Sequence, residues 1–268
     1  MTSSGKSSAG KSLTDPYGQD SFGVRFDWGL QGAVAIANGA AAVVVVDVLS
    51  FCTTLSVALD AGIEVFPFRI RDASAAAFAA SHGAVLAVGR REAGPTGVSL
   101  SPVSVRRATE HGGPLTTTTK LVLPSPNGAA ICRQLGDVKD LLVVGASMRN
   151  ASACASWLVK ATRGPIAVVA AGERWPGDVL RPAVEDLWGA GLIIEALTAL
   201  GAGPISPEAS AARAAYRALG RSPSMALAAC ASGRELASDG YAEEIAVAAE
   251  LDSSGRVPVL SGESFRAG

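Results

Sequence analysis

Asp47 closes a run of four valines at residues 43–46 and is followed within one helical turn or two by Ser50, Thr53 and Thr54. A carboxylate at the end of so apolar a run is costly to leave without a partner. A hard divalent cation such as Mg²⁺ is the natural partner for oxygen ligands. The chemistry on offer is a metal-holding or acid–base carboxylate, with a helix cap or an ion pair to a nearby arginine as the structural alternative. A second acidic pair, Glu185-Asp186, comes after Pro182 and opens a helical stretch. Acidic residues also suit a first helical turn on electrostatic grounds. Adjacent helical residues point about 100° apart, so only one of the two is expected to face a metal, the other lying behind it or in solvent. Asn127-Gly128, after Pro124-Ser125-Pro126, makes a tight turn that offers backbone N–H groups and an amide to a phosphate.

These residues need strands and helices to position them. Residues 42–46 form a continuous apolar run of the kind covered on both faces of a sheet. Further runs at 64–68, 84–88, 120–123, 141–144, 166–170 and 257–260 alternate with helical stretches at 53–61, 73–81, 129–135, 151–161 and 183–200, and residues 207–251 read as mostly helical. The alternation predicts β-α-β units, hence an α/β fold with a mostly parallel sheet between helical layers. Ligands of such sheets bind beyond the carboxyl ends of the strands. Polar residues gather at those exits: Asp47, Ser50, Thr53 and Thr54; Arg90, Arg91 and Glu92; Ser125 and Asn127; Ser147, Arg149 and Asn150; Glu173, Arg174 and Asp178. Helix capping accounts for many single Ser, Thr and Asn residues at such places.

Composition narrows the function classes. With 49% hydrophobic and 18% charged residues the 268-residue chain is globular, and a net charge of −1 gives no field for nucleic acid or an anionic bilayer. Cys52, Cys132, Cys154 and Cys230 are scattered without a CxxC pair, which predicts buried reduced thiols rather than a zinc site or disulfides. No run approaches the roughly 20 apolar residues of a membrane span, and residues 1–21 lack the apolar segment of a secretory signal. A cytoplasmic protein is expected. Residues 5–12 match the phosphate-binding pattern G-x-x-x-x-G-K-[ST], but only four residues precede the first glycine, and Pro16 and Gly18 break any helix after the pattern. A working loop of that type needs a strand before it and a helix after it, so residues 1–20 are expected to be a disordered tail. His82 and His111 sit in glycine-flanked surface segments, apart from the strand-exit residues, which favours attack by water over a covalent route.

Taken in order, these segments resemble the 2-phosphosulfolactate phosphatase family from residue 43 to residue 260. The family's D-V-L-R-A-T-T-T segment is similar to Asp47-Val48-Leu49-Ser50-Phe51-Cys52-Thr53-Thr54, its T-N-G-T turn to Pro126-Asn127-Gly128-Ala129, its N-x-x-A segment to Asn150-Ala151-Ser152-Ala153, and its E-D-x-x-x-A-G helix to residues 185–191. The chain departs from it at Ser50, where the family carries arginine, at Gly89-Arg90-Arg91, where it carries G-E-R, and at a shortened Leu100-Ser101-Pro102 turn. Haloacid-dehalogenase-like phosphatases, with D-x-D-x-[TV], are excluded because Leu49 stands where the second aspartate must be.

The resemblance implies two similar three-layer α/β/α subdomains, here residues 21–135 and 136–268, and a Mg²⁺-dependent phosphatase acting on a small anionic phosphate monoester. In it Asp47 and one of Glu185 or Asp186 hold Mg²⁺. Thr53, Thr54, Asn127 and Gly128 hold the phosphoryl oxygens, with Ser50 and Asn150 as further substrate contacts, and Arg149 or Arg174 takes the acidic end of the substrate. A different substrate or reaction on the same scaffold, or a non-catalytic binder of small anions, are the alternatives. Neither nucleic acid nor membrane is an expected partner, and the oligomeric state is left open, a homodimer included.

Overall fold

A computed structural model describes residues 16–268 except 95, 111, 112, 117 and 221. The phosphate-loop-like segment at 5–12 and His111 lie outside the described residues. Residues 16–20 do not belong to a loose tail: Pro16–Gly18 is a short 3₁₀ turn, and the Gln19 amide both donates to and accepts from the Phe26 backbone at 2.8 and 3.1 Å.

The strands are β1 (Val24–Trp28), β2 (Ala42–Val46), β3 (Glu64–Phe68), β4 (Val85–Leu86), β5 (Lys120–Pro124), β6 (Leu142–Ala146), β7 (Ile166–Ala170), β8 (Glu173–Trp175), β9 (Val179–Arg181), β10 (Pro258–Ser261) and β11 (Ser264–Ala267). Nine form one sheet in the order β1-β7-β2-β6-β10-β11-β3-β5-β4, and β8-β9 is a separate hairpin. The groups β1-β7-β2-β6 and β3-β5-β4 are parallel within themselves and are joined by the antiparallel hairpin β10-β11. The expected α/β class with a mostly parallel sheet is therefore the observed one. The division expected after residue 135 does not break the sheet, because β2 from the first half is hydrogen-bonded between β6 and β7 from the second.

In chain order the helices are α1 (Gly29–Ala37), α2 (Phe51–Asp60), α3 (Ala73–His82), α4 (Arg90–Ala93), α5 (Pro102–Ala108) and α6 (Gly128–Gly136). They continue with α7 (Ala151–Ala161), α8 (Val184–Ala199), α9 (Pro207–Ala218), α10 (Pro223–Ala229), α11 (Ala231–Ser238) and α12 (Glu243–Ala248). The valine run explains the layering. Val43 and Val45 enter one core with residues of α1, α2 and α6, whereas Val44 and Val46 enter another with residues of α7, α8 and α9. A strand buried on both faces has no polar side chain to spare until it ends, and in β2 the first is Asp47. Among the described residues no helix is long and apolar enough to cross a membrane.

Four strands separate β2 from β5 in the sheet. In a flat sheet they would stand roughly 24 Å apart at ~4.8 Å per strand. Yet the N–H of Gly128, four residues past β5, reaches the side chain of Asp47, one residue past β2, at 3.0 Å. The chain past β5 and the Asp47 side chain together bridge the gap between the two strands, and the hydrogen bond joins the two exits across the intervening strands.

Candidate active site

Asp47 is buried and holds two helix starts at once. Its Oδ1 accepts the N–H of Phe51, the first residue of α2, and its Oδ2 accepts the N–H of Gly128, the first residue of α6, both at 3.0 Å. The second contact requires glycine, because a Cβ at position 128 would lie 2.7 Å from Asp47 Oδ2 and from the Phe51 ring. Burial pushes the Asp47 carboxyl up to about 6; the two N–H bonds oppose this, Glu185 adds to it, and Arg90 counters.

Asp186 does the same service between β2 and β7. Its Oδ1 accepts the Val48 N–H at 2.7 Å and its Oδ2 accepts the Gly172 N–H at 2.9 Å. Its neighbour Glu185 is also buried, against the Cys230 thiol. Both members of the pair are thus buried, which leaves open which of them faces a metal. α8 is packed closely along its length: Gly189 rests against Val46 and Val48, and Gly191 against the Ala212 carbonyl of α9.

A fourth carboxyl joins them. Glu173, which opens β8, accepts the Asn127 side-chain N–H at 2.9 Å; burial first, then the charge of Asp47, pushes it up to about 7. Asp186 is raised well above the usual carboxylate range by burial, with Asp47 and Glu185 next. Every pair among Asp47, Glu173, Glu185 and Asp186 repels through space. Glu173 stands at a strand exit in the sequence, but nothing in the local pattern marked it above its neighbours there.

Asn127 lies between Glu173 and Arg174, whose Nε donates to Asn127 Oδ1 at 3.1 Å and whose Nη2 donates to the Pro126 carbonyl at 2.9 Å. Arg174 therefore stiffens the turn that Gly128 belongs to. Ser50 Oγ accepts from Arg90 Nη2 at 2.9 Å, and the Arg90 fork grips buried Glu244 through Nε and Nη2, both at 2.8 Å. A guanidinium thus stands against Ser50, supplied from another strand exit. Glu244 belongs to the family-like tail segment 240–244, but its meeting with Ser50, 194 residues away, is not legible from the sequence.

Other expected contacts are placed differently. Thr53 and Thr54 are buried with their hydroxyls donating to the Val48 and Leu100 carbonyls at 2.7 and 3.1 Å, so their protons are already committed to the backbone. Arg149 does not reach the cluster: it is paired with Asp60 at 2.8 Å, with Glu250 and with Ser56, at the far end of α2 from Asp47. Asn150 accepts the Ser147 N–H at 2.9 Å and donates to the Arg256 carbonyl at 3.2 Å, a backbone-capping role. A buried guanidinium needs acidic partners and a helix start needs a cap, and those needs use both side chains. All four cysteines are free and buried. Burial raises every thiol, which removes them as nucleophiles. His82 stacks on the Phe78 ring at 4.0 Å. Among the described residues no three Asp, Glu, His or Cys side chains form a ready-made metal cage.

Fold and site place the chain among α/β proteins whose functional groups sit at strand exits. Within that class, the model of the 2-phosphosulpholactate phosphatase family matches residues 32–263, and the chain belongs to this family. The match covers Asp47, Asn127 and the Glu185-Asp186 pair, the residues that carry the resemblance. No curated protein matches the chain.

Proposed function

We propose that this protein is a Mg²⁺-dependent phosphatase of a small anionic phosphate monoester. The observation that supports it is the cluster of Asp47, Glu173, Glu185 and Asp186, four mutually repelling acids meeting where the β2, β5 and β7 exits converge. Like charges in a buried site are kept only when protons or a cation offset them. The donors are all oxygen, which suits a hard cation. Mg²⁺ is held through one or two carboxylates with water and phosphate oxygens rather than by an all-protein cage, so a cluster without a ready cage fits it.

In this reading Asp47 and Glu185 hold the metal, while Asp186 positions the β2 and β7 exits through its two N–H bonds. Bound Mg²⁺ supplies charge neutralisation at the phosphoryl group and a more acidic water. Asn127, fixed from both sides by Glu173 and Arg174, presents its amide to the phosphoryl oxygens. Glu173, poised about 7, carries a proton to the departing alkoxide. Arg90 brings a guanidinium to Ser50, where the family carries arginine, and holds it there on Glu244.

The test is phosphate release from a panel of small monoesters, 2-phosphosulfolactate included, with Mg²⁺ and with chelator. Release that needs the metal is the expected result. A protein that binds phosphate yet hydrolyses no monoester is a small-anion binder instead.

A further inference from the structure

A cavity of about 190 Å³ touches the carboxylate cluster. Glu173 and Asn127 line it from the cluster, and Gln31, Gln134, Arg69 and Arg174 line it elsewhere. Small-molecule sites usually run to ≈ 300 Å³ or more, so only a compact ligand fits here. The two arginines differ in what remains to them. Arg174 is bonded to Asn127 and Pro126 and paired with Asp178 at 2.7 Å. Arg69 is exposed and has no acidic partner among the described residues. Its backbone is nonetheless fixed: it comes directly after β3, whose Phe68 pairs with Pro124 and accepts the Ser125 N–H at 2.9 Å. Arg69 thus leaves β3 beside the turn that carries Asn127.

We propose that Arg69 is a specificity-determining residue that receives a second acidic group of the substrate in this cavity, while the phosphoryl group lies at the carboxylate cluster. The proposal rests on the phosphatase reading. The compound the family is named for is itself a short phosphate monoester with acidic groups near the ester oxygen; the new assignment is Arg69 as the residue that receives such a group. A charge-assisted contact to a guanidinium is the kind that separates such a compound from a neutral analogue.

Steady-state kinetics with Mg²⁺ would compare phosphoglycolate, which has the carboxylate, with ethyl phosphate, which lacks it. For Arg69→Ala the KM for phosphoglycolate is expected to rise about tenfold or more, with kcat and the ethyl phosphate KM within about twofold. Arg69→Lys is expected to recover part of the loss. Equal effects on the two compounds, or none on phosphoglycolate, overturn the proposal. Calorimetric binding of phosphoglycolate with Mg²⁺ separates the two claims. If the wild-type protein turns over neither compound nor any other monoester of the panel, the phosphatase reading fails, while binding weakened about tenfold in Arg69→Ala still upholds the subsite. No phosphoglycolate binding by wild type at millimolar concentration, or unchanged binding by the variant, sinks it.

Discussion

Gly128 donates its N–H to Asp47 Oδ2 at 3.0 Å, and through this bond two strand exits with four strands between them in the sheet become one site. Asp47 Oδ1 holds Phe51 at the same time. A single carboxylate therefore sets where α2 and α6 begin.

Gly128→Ala is the least intrusive way to disturb that junction. The added methyl group would meet Asp47 Oδ2 and the Phe51 ring at 2.7 Å, and both are buried with little room to yield. Overpacking of this kind costs about 1–3 kcal/mol. Denaturant titration should show that loss, and phosphatase activity should fall further than the stability loss explains. Wild-type stability with wild-type activity would mean that the junction does not position the site.

The acid cluster makes stability depend on pH and on divalent cation. Asp47 moves from 3.8 to about 6 and Glu173 from 4.5 to about 7 on folding. An acid whose folded pKa is raised binds more protons folded than unfolded, so its stabilisation is complete below the unfolded value and is lost as pH rises to the folded one. The metal-free protein should thus lose thermal stability steadily between about pH 4 and pH 7 on account of these groups. Mg²⁺ should raise the Tm more at pH 8 than at pH 5, because protons compete for the same oxygens. An equal Mg²⁺ effect at both pH values would dissociate the metal from this cluster.

The sequence showed most of the parallel sheet because β2, β3, β5, β6 and β7 are apolar runs buried on both faces. β1 escaped notice because Val24–Trp28 alternates apolar residues with Arg25 and Asp27. Its pattern reads as exposed, yet Arg25 is buried and donates to the Ile36 and Asn38 carbonyls. Asp47 could be picked out as a carboxylate closing an apolar run, and Glu185-Asp186 as an acidic pair opening a helix after Pro182. Their union with Glu173 could not, since it depends on β7, which Glu173 follows, pairing directly with β2. Arg149 and Asn150 show the opposite error: polar residues at a strand exit that serve the fold.

Arg149→Ala tests that last distinction. Its guanidinium is buried and holds Asp60 and Glu250, each about a third exposed. Fully buried pairs cost about 3–5 kcal/mol when one partner is removed, and partial exposure of the acids lowers the expected loss to about 2–3 kcal/mol. The KM of the molecules that remain folded should not change. A selective rise in KM, with stability intact, would restore Arg149 to the substrate site.

Asp47→Asn separates the structural from the chemical role of the central carboxylate. Both Asp47 oxygens accept N–H groups, so the amide nitrogen of asparagine must face one donor with another, and that lost bond costs about 1–3 kcal/mol. The substitution also removes one negative charge from a cluster in which every pair repels, so the Glu173 carboxyl should fall from about 7 toward its ordinary value. The two effects oppose each other above pH 7 in the metal-free protein, and Tm alone cannot distinguish them. The Mg²⁺-dependent rise in Tm can: it should shrink sharply in the variant, and kcat should drop by about 10² or more if charge stabilisation at the phosphoryl group runs through this carboxylate. A variant that keeps both the Mg²⁺ response and the activity would leave Asp47 as a double helix cap and move the metal to Glu185 and its neighbours.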